Sequence, residues 1–251
     1  MVITTLHSLL LGLVEGLTEF APVSSTAHIL LAAKVFSIKN SDFFAVFTVA
    51  IQSGAILAAV VYFWNTLWSN LSLIPKVIVG FLPAAAVGLL LHKTITSLFS
   101  STWIIGATLI LGGIVFLFLR PIDTNVEVKS ISYTQAFLIG CTQIVAMIPG
   151  VSRSGATLIG GTLLNIPRAQ IVAFSFILGI PTILGATAVE LHSLPAISSH
   201  EWSLIVVGTI VAFISALATI SWFMKLLTKK PLSWFGWYRI VLGMLVLIFL
   251  A

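Results

Sequence analysis

Six stretches of the chain are apolar, carry at most one charged residue each, and approach or exceed the length that crosses a bilayer. They are Phe44–Trp64, Leu73–His92, Trp103–Leu119, Ile171–Val189, Ser203–Met224 and Trp237–Ala251. One helical crossing needs about 20 apolar residues. Only 8% of the 251 residues are charged, against roughly 25% in a soluble domain. We therefore expect an all-α, polytopic membrane protein.

Composition excludes several other classes of protein. The single cysteine, Cys141, excludes an internal disulfide framework and a CxxC metal site. The net charge of +5 does not indicate nucleic-acid binding, because Lys229 and Lys230 form the only adjacent basic pair. No basic region precedes the first apolar stretch, so a cleaved signal peptide is not expected.

Two segments, one in each half of the chain, share one plan. Residues 12–29 read GLVEGLTEFAPVSSTAHI and residues 140–157 read GCTQIVAMIPGVSRSGAT. Each begins with glycine, runs through an apolar helix, breaks at proline, passes Val-Ser and resumes in small residues. Aligned at their first glycines, the segments place Val23-Ser24 on Val151-Ser152. We expect a single membrane domain, residues 1–251, built from repeat A (1–120) and repeat B (130–251).

Each repeat is predicted to hold a pair of short apolar segments followed by three full spans. The short segments are Ile3–Phe20, Thr26–Phe36, Gln135–Ile148 and Gly155–Leu164. Broken segments of this length favour re-entrant hairpins. Because three crossings are an odd number, the repeats must be inverted relative to each other. The expected fold is an inverted-topology repeat with about six full spans and two re-entrant helix pairs. The alternative is an ordinary span with a proline kink in each repeat.

The basic residues predict the orientation of this fold. One side would carry Lys76, Arg120, Lys129, Arg168, Lys225, Lys229, Lys230 and Arg239. The other would carry Lys34, Lys39 and Lys93 with Glu190 and Glu201. The positive-inside rule makes the first side cytoplasmic. We expect a multi-pass protein of the plasma or inner membrane, with its site open to the outer face.

Glu15 and Glu19 are acidic residues inside an apolar segment, where charges are not expected. They lie four residues apart inside an apolar half-helix, so both project from one face and repel each other. An ionisable residue at membrane depth predicts a functional site that faces a cavity. The alternative is a pair that reaches to the interface from the end of a short helix.

Hydroxyl groups and a histidine follow the first break. After Pro22, Ser24, Ser25 and Thr26 can cap the next helix, whose N-terminus attracts anions. His28 lies on its first turn, three residues after Ser25. A buried histidine is often only structural, but its place beside Ser25 and two glutamates favours catalysis.

The second break places a cation where the first places carboxylates. Arg153 lies between Ser152 and Ser154, followed by Gly155 and Thr157. A guanidinium matches phosphate oxygens bidentately. The alternative is a structural pair with one of the glutamates.

Together the two breaks predict a site for a phosphorylated lipid. The catalytic candidates are Glu15, Glu19, Ser25, His28 and Arg153. The substrate-binding candidates are Ser24, Thr26, Gln52, Ser152, Ser154, Gly155 and Thr157, with Gln143 a weaker one. Glu15 and Glu19 are hard oxygen ligands that could hold a divalent cation, Mg²⁺ or Ca²⁺.

Residues 15–28 and 149–157 resemble the two signatures of the undecaprenyl-diphosphate phosphatase family of the bacitracin-resistance type. One departure is Ala27, where the family usually has glycine. The resemblance implies an inverted repeat with two re-entrant pairs, a divalent cation, and hydrolysis of undecaprenyl diphosphate to undecaprenyl phosphate and inorganic phosphate for cell-wall synthesis. By matching positions it also implies that Glu15, Glu19, Ser25, His28 and Arg153 form the site.

Two questions stay open from the sequence. Ser25, His28 and a metal-activated water are all chemically suitable nucleophiles. A secondary transporter or flippase for an anion or lipid phosphate is the alternative function, because inverted repeats with broken helices are typical of transporters. The expected partners are a polyprenyl diphosphate and membrane lipid without nucleic acid, and a homodimer is left open.

Overall fold

The computed structural model describes residues 2–39, 41–99, 101–119, 131–192 and 197–249, and in these ranges the chain is helical without a strand. The helices are α1 (Thr5–Thr18), α2 (Ser25–Val35), α3 (Asp42–Tyr62), α4 (Trp64–Ser69), α5 (Leu73–Leu90), α6 (His92–Leu98), α7 (Thr102–Phe118), α8 (Tyr133–Val145), α9 (Arg153–Leu163), α10 (Arg168–His192), α11 (Ser199–Lys229) and α12 (Ser233–Phe249). Arg120 and Lys129, used above for orientation, lie outside the described residues.

Four described helices are long and apolar enough to cross a membrane: α3, α5, α10 and α11. A fifth results if α6 and α7 are taken together as one bent span. The predicted spans coincide in position with α3, α5, α7, α10, α11 and α12. However, α7 and α12 have 17 residues each, below the length of about 20 that crosses a bilayer without adjustment. The prediction of a polytopic helical membrane protein is therefore confirmed, whereas the number of spans is not.

Two pairs of short helices occur where the sequence predicts breaks. In the first pair α1 has 14 residues and α2 has 11. In the second pair α8 has 13 and α9 has 11. At 1.5 Å per residue even α1 is only about 21 Å long, shorter than the roughly 30 Å hydrocarbon core. None of these four helices can cross the core alone.

The first break is residues 19–24, between α1 and α2, and the second break is residues 146–152, between α8 and α9. Each break ends in a serine with a left-handed backbone. Ser24 has φ 69° and caps α2 by accepting from the Ala27 amide at 3.4 Å. Ser152 has φ 74° and caps α9 by accepting from the Gly155 amide at 3.2 Å. Such a conformation is costly for a residue with a Cβ and persists only where its surroundings hold it. Both breaks are therefore held in place by contacts elsewhere in the protein.

The two pairs dock on the long helices through matching glycine contacts. A Cβ on Gly12 of α1 would lie 2.4 Å from the Gly208 carbonyl oxygen of α11. A Cβ on Gly140 of α8 would lie 2.2 Å from the Gly80 carbonyl oxygen of α5. Both contacts require glycine, because any side chain would separate the helices. The separation along the chain from Gly12 to Gly140 equals that from Gly80 to Gly208, and it also equals that from Ser24 to Ser152.

The long helices α3 and α10 pack against each other in the centre. The Ser53 and Thr187 hydroxyls meet between them at 2.6 Å. Around them the buried core contains Phe47, Ile51 and Phe176. At one side α7 and α12 pair through mutual glycine contacts. This arrangement leaves both breaks facing the interior of the bundle.

Candidate active site

One cavity of about 660 Å³ lies between the two breaks. Its walls come from α2, α3, α5, α6, α8, α9 and α10, and most of its lining is apolar, including Phe44, Phe81 and Leu89. Its polar lining includes Glu19, Ser24, Ser25, Thr26, Thr48, Gln52, Gln143, Ser152, Arg153 and Thr182. The cavity thus combines an ionic end with a long apolar wall.

The ionic end is built by an ion pair that joins the two breaks. Arg153 Nη2 donates to Glu19 Oε1 at 2.8 Å, and the two side chains are 11% and 7% exposed. Ser25 Oγ donates to the other carboxylate oxygen, Oε2, at 2.7 Å. Arg153 Nη1 donates to the Ser175 carbonyl at 2.8 Å, and a Cβ on Gly179 would lie 2.5 Å from Nη1. The carboxylate of one break and the cation of the other are therefore buried as a pair, which offsets part of their desolvation.

Two helix N-termini converge on the same volume. Ser24 and Ser25 lie at the cap and start of α2, and Ser152 and Arg153 lie at the cap and start of α9. First-turn amides have no intrahelical acceptor, and each N-terminus carries about half a positive charge. With the Arg153 guanidinium, this end of the cavity is suited to a phosphate group.

Glu15 lies behind Glu19 and does not line the cavity. It is fully buried, and neither carboxylate oxygen has a hydrogen-bond partner among the described residues. The side chains of Glu19, Ser25 and Arg153 lie close enough to influence its carboxyl group electrostatically. A buried carboxylate without a donor needs a proton or a cation. Its unpaired oxygens beside Glu19 fit a hard divalent cation by donor chemistry. The described residues contain no cluster of three or more His, Cys, Asp and Glu side chains that could hold a metal, so further ligands would have to be hydroxyls, carbonyls, water or substrate.

The structure does not bring His28 to the cavity. Its Nδ1 lies 2.8 Å from the Ser24 carbonyl oxygen, and its Nε2 lies 2.7 Å from the Tyr238 hydroxyl. The two rings stack with centroids 5.7 Å apart. The first turn of α2 therefore presents Ser25 to the cavity and His28 to α12. A direct catalytic role for His28 stays a prediction that this geometry does not favour.

The substrate-binding candidates divide into two groups. Ser24, Thr26, Gln52 and Ser152 line the cavity, and Gln52 Nε2 donates to Thr26 Oγ1 at 3.4 Å. Ser154, Gly155 and Thr157 do not line it. The Ser154 hydroxyl donates to the Ala21 carbonyl at 3.2 Å, and the Thr157 hydroxyl meets that of Ser175 at 2.6 Å. Ser154 thus joins the second helix pair to the first break, and Thr157 joins α9 to α10.

The structure corrects the predicted position of Arg239. By the positive-inside rule Arg239 is expected among the charges of the basic, cytoplasmic side, yet it is 1% exposed and its guanidinium donates to backbone carbonyls of both breaks. The sequence does carry a signal for this position, because Arg239 is the only charge in the apolar run from Trp237 to Ala251. A charge in such a run indicates an intramembrane role.

A histidine–carboxylate pair lines the far end of the cavity. His92 Nε2 lies 2.9 Å from Glu190 Oε1, joining the start of α6 to the end of α10. Thr96 and Phe99 line the same end. This end belongs to the side that carries Lys39 and Lys93 in the orientation argument.

These features define a class: a polytopic helical membrane protein with a buried ionic centre between two broken helix pairs. The chain belongs to the bacitracin resistance protein BacA family, whose model matches residues 8–245.

Named relatives are similar over nearly their whole length. An undecaprenyl-diphosphatase of Aquifex aeolicus is 40% identical over 250 residues, covering 96% of this chain and 96% of the relative. One of Campylobacter jejuni is 42% identical, covering 95% and 91%. One of Wolinella succinogenes is 42% identical, covering 97% of each.

Proposed function

We propose that this protein is an undecaprenyl-diphosphatase that converts undecaprenyl diphosphate to undecaprenyl phosphate and inorganic phosphate, and so recycles the lipid carrier of cell-wall synthesis. The observation that carries the proposal is the Glu19–Arg153 pair with Ser25 at the ionic end of an apolar cavity. Full-length relatives named for this activity support it. They do not favour the alternative, a transporter.

The cavity has the polarity of such a substrate. A diphosphate head would lie at the ionic end, against Arg153 and the N-termini of α2 and α9. The first isoprene units would lie along the apolar wall that includes Phe81 and Leu89. The rest of the tail would leave sideways between helices into the lipid.

Ser25 is the proposed nucleophile, because it lines the cavity and its hydroxyl already donates to Glu19 Oε2. Glu19 would take the hydroxyl proton as Ser25 Oγ attacks the terminal phosphorus. The bond from that phosphorus to the bridging oxygen breaks, and undecaprenyl phosphate leaves with the electron pair. Water then attacks the phosphoserine, releasing inorganic phosphate and restoring Ser25. A water nucleophile would use the same residues without the intermediate.

Arg153 would neutralise the charge that spreads over the equatorial phosphate oxygens. Its two bonds to Glu19 and Ser175 use two of five N–H groups, so donors remain for substrate. In phosphoryl transfer, positioning and electrostatics supply most of the catalysis.

Glu15 and Glu19 would hold the divalent cation, Mg²⁺ or Ca²⁺. The buried oxygens of Glu15, which have no hydrogen-bond partner among the described residues, support this assignment. A bound cation would supply further neutralisation of phosphate charge.

We also propose the finer architecture: an inverted-topology repeat of residues 1–120 and 130–251, with six spans and two re-entrant pairs. The two left-handed serines and the two glycine contacts, which recur at one constant separation along the chain, support the repeat. The short α1, α2, α8 and α9 support the re-entrant pairs. With the positive-inside orientation, the cavity end near His92 would open to the outer face of the plasma or inner membrane.

Phosphate release by the purified protein tests the function. The protein in detergent micelles is given undecaprenyl diphosphate without any gradient, with Mg²⁺ or with a chelator. We expect release with Mg²⁺ and its loss with the chelator. A protein that releases no phosphate in micelles, but moves the lipid across vesicle membranes, would instead be a transporter.

A further inference from the structure

Arg239 makes an unusually complete set of backbone contacts. It has five N–H groups, and all five donate to carbonyl oxygens. The acceptors are Leu109 for Nε at 3.4 Å, Pro22 and Val151 for Nη1 at 3.0 and 2.9 Å, and Thr108 and Gly150 for Nη2 at 3.2 and 3.0 Å. No salt bridge to Arg239 occurs in the part of the chain that the structure describes. Carbonyl dipoles and the Phe116 ring, 5.5 Å from Cζ, surround the charge instead.

These contacts join four segments that are distant in sequence. Pro22 belongs to the first break, and Gly150 and Val151 belong to the second. The remaining acceptors lie on α7, and Arg239 itself lies on α12. One side chain therefore fixes the first break to the second and anchors both to the α7–α12 pair.

The bonds also fix which way the peptides of the second break face. In a trans peptide the C=O and the following N–H point in opposite directions. With the Val151 carbonyl turned to Arg239, the Ser152 N–H points away from Arg239. Ser152 lines the cavity and Arg239 does not. Arg239 thus engages the Gly150 and Val151 carbonyls, which would otherwise be free to face and repel a phosphate.

The surroundings are shaped for this guanidinium. A Cβ on Gly112 would lie 2.2 Å from Arg239 Nη2, so any larger residue there would displace it. Gly150 has φ 91°, and the Thr108 hydroxyl donates to the Pro149 carbonyl at 2.6 Å. The second break is therefore held from two directions, by Arg239 and by Thr108.

The contact is also asymmetric between the two halves. The α7–α12 pair crosses at Gly106 with Gly243 and at Gly113 with Gly236. If the repeat relates α7 to α12, the residue equivalent to Gly106 is Gly236 and the residue equivalent to Gly113 is Gly243. The separation along the chain is the same in both equivalent pairs. At that offset Arg239 matches Leu109. A single arginine, without a counterpart in α7, serves both breaks.

We propose that Arg239 is a positioning residue for phosphoryl transfer at this site: it holds the two breaks in register so that Ser25 and Arg153 meet the same phosphate. The proposal rests on the proposed function. It goes beyond it by assigning a role to a residue that lies outside the cavity.

The test compares Arg239→Lys and Arg239→Gln with the wild type, each at equal concentration of folded protein in micelles. We expect kcat to fall about tenfold for Arg239→Lys, which keeps a charge and at most three donors, and further for Arg239→Gln. KM should stay within about twofold, because Arg239 does not touch substrate. Val241→Ala, on the lipid-facing side of α12 (49% exposed), is the matched control and should behave as wild type.

Amide hydrogen exchange gives a readout that does not depend on activity. We expect faster exchange in the Arg239 variants in peptides that cover residues 20–27 and 148–155, with no change in α3 or α10. If Arg239→Gln fails to fold, Gly112→Ala can replace it, because this substitution displaces the guanidinium without removing it. We expect the same fall in kcat and the same faster exchange in the peptides of the two breaks.

Three results would overturn the proposal. They are an unchanged kcat per folded protein, a raised KM at constant kcat, and an exchange increase spread evenly over all helices. A wild-type protein that releases no phosphate would instead refute the proposed function, and the exchange experiment would still decide whether Arg239 holds the breaks.

Discussion

The substitution Arg153→Lys removes the planar guanidinium group but keeps its positive charge. Arg153 reaches the Glu19 carboxylate and the Ser175 carbonyl at the same time, at 2.8 Å each. A lysine ammonium can pair with Glu19, but it is a point charge that cannot hold these partners and a phosphate in one plane. The variant therefore keeps the ion pair while losing the planar set of donors to the substrate.

The magnitude follows from the number of donors lost. A hydrogen bond to a charged group contributes about 1.5–3 kcal/mol. Loss of one such bond in the transition state lowers kcat/KM about 10- to 150-fold, because 1.36 kcal/mol corresponds to a factor of ten. Stability should change little, since Glu19 keeps a cation. Arg153→Met, by contrast, leaves a carboxylate that is 7% exposed without its cation, at a cost of about 3–5 kcal/mol.

The assay is phosphate release from undecaprenyl diphosphate in micelles, with thermal unfolding measured on the same samples. Arg168→Lys is the matched control, because Arg168 donates to the Lys230 carbonyl and does not line the cavity. We expect the control to stay within about twofold of wild type. A wild-type rate in Arg153→Lys would refute the inference that the fork binds the phosphate.

Three further predictions concern the nucleophile, the cation and the second break. Ser25→Ala should lose at least about 100-fold in kcat and any trapped phosphoenzyme, whereas His28→Ala should keep the phosphoenzyme; full turnover in Ser25→Ala would exclude serine as nucleophile. Glu15→Gln should abolish the rise in melting temperature that Mg²⁺ gives the wild type, and an unchanged rise would exclude Glu15 as a ligand. Gly150→Ala should unfold at lower temperature, because its φ is 91° and its Cβ would lie 2.2 Å from Thr108 Oγ1; an unchanged transition would contradict this.

Much of the architecture could be predicted from the sequence because the deciding interactions are local. Pro22 and Pro149 lie four residues after the ends of α1 and α8, and the serines that follow cap the next helices, so both breaks could be placed within a few residues. Charge pairing across the breaks was also foreseeable. A buried Arg153 needs an anion, and Glu19 was one of two carboxylates at that depth.

The orientation of some side chains could not be predicted from the sequence, because it depends on which face of a short helix packs against its neighbours. Ser25 and His28 lie three residues apart, yet one faces the cavity and the other stacks on Tyr238. That division is set by the packing of α2 against α12, which no local pattern encodes. The same holds for Arg239, whose acceptors come from three segments that are brought together only by the fold.

In the proposed mechanism Glu19, Ser25 and Arg153 surround the terminal phosphate of a lipid diphosphate. A structure with a non-hydrolysable, methylene-bridged analogue of undecaprenyl diphosphate tests it most directly. We expect the terminal phosphorus within about 3.5 Å of Ser25 Oγ, with the phosphonate oxygens on Arg153 and the tail along the apolar wall. An analogue bound with its head away from the two breaks, at the His92 end or on an outer surface, would refute this site.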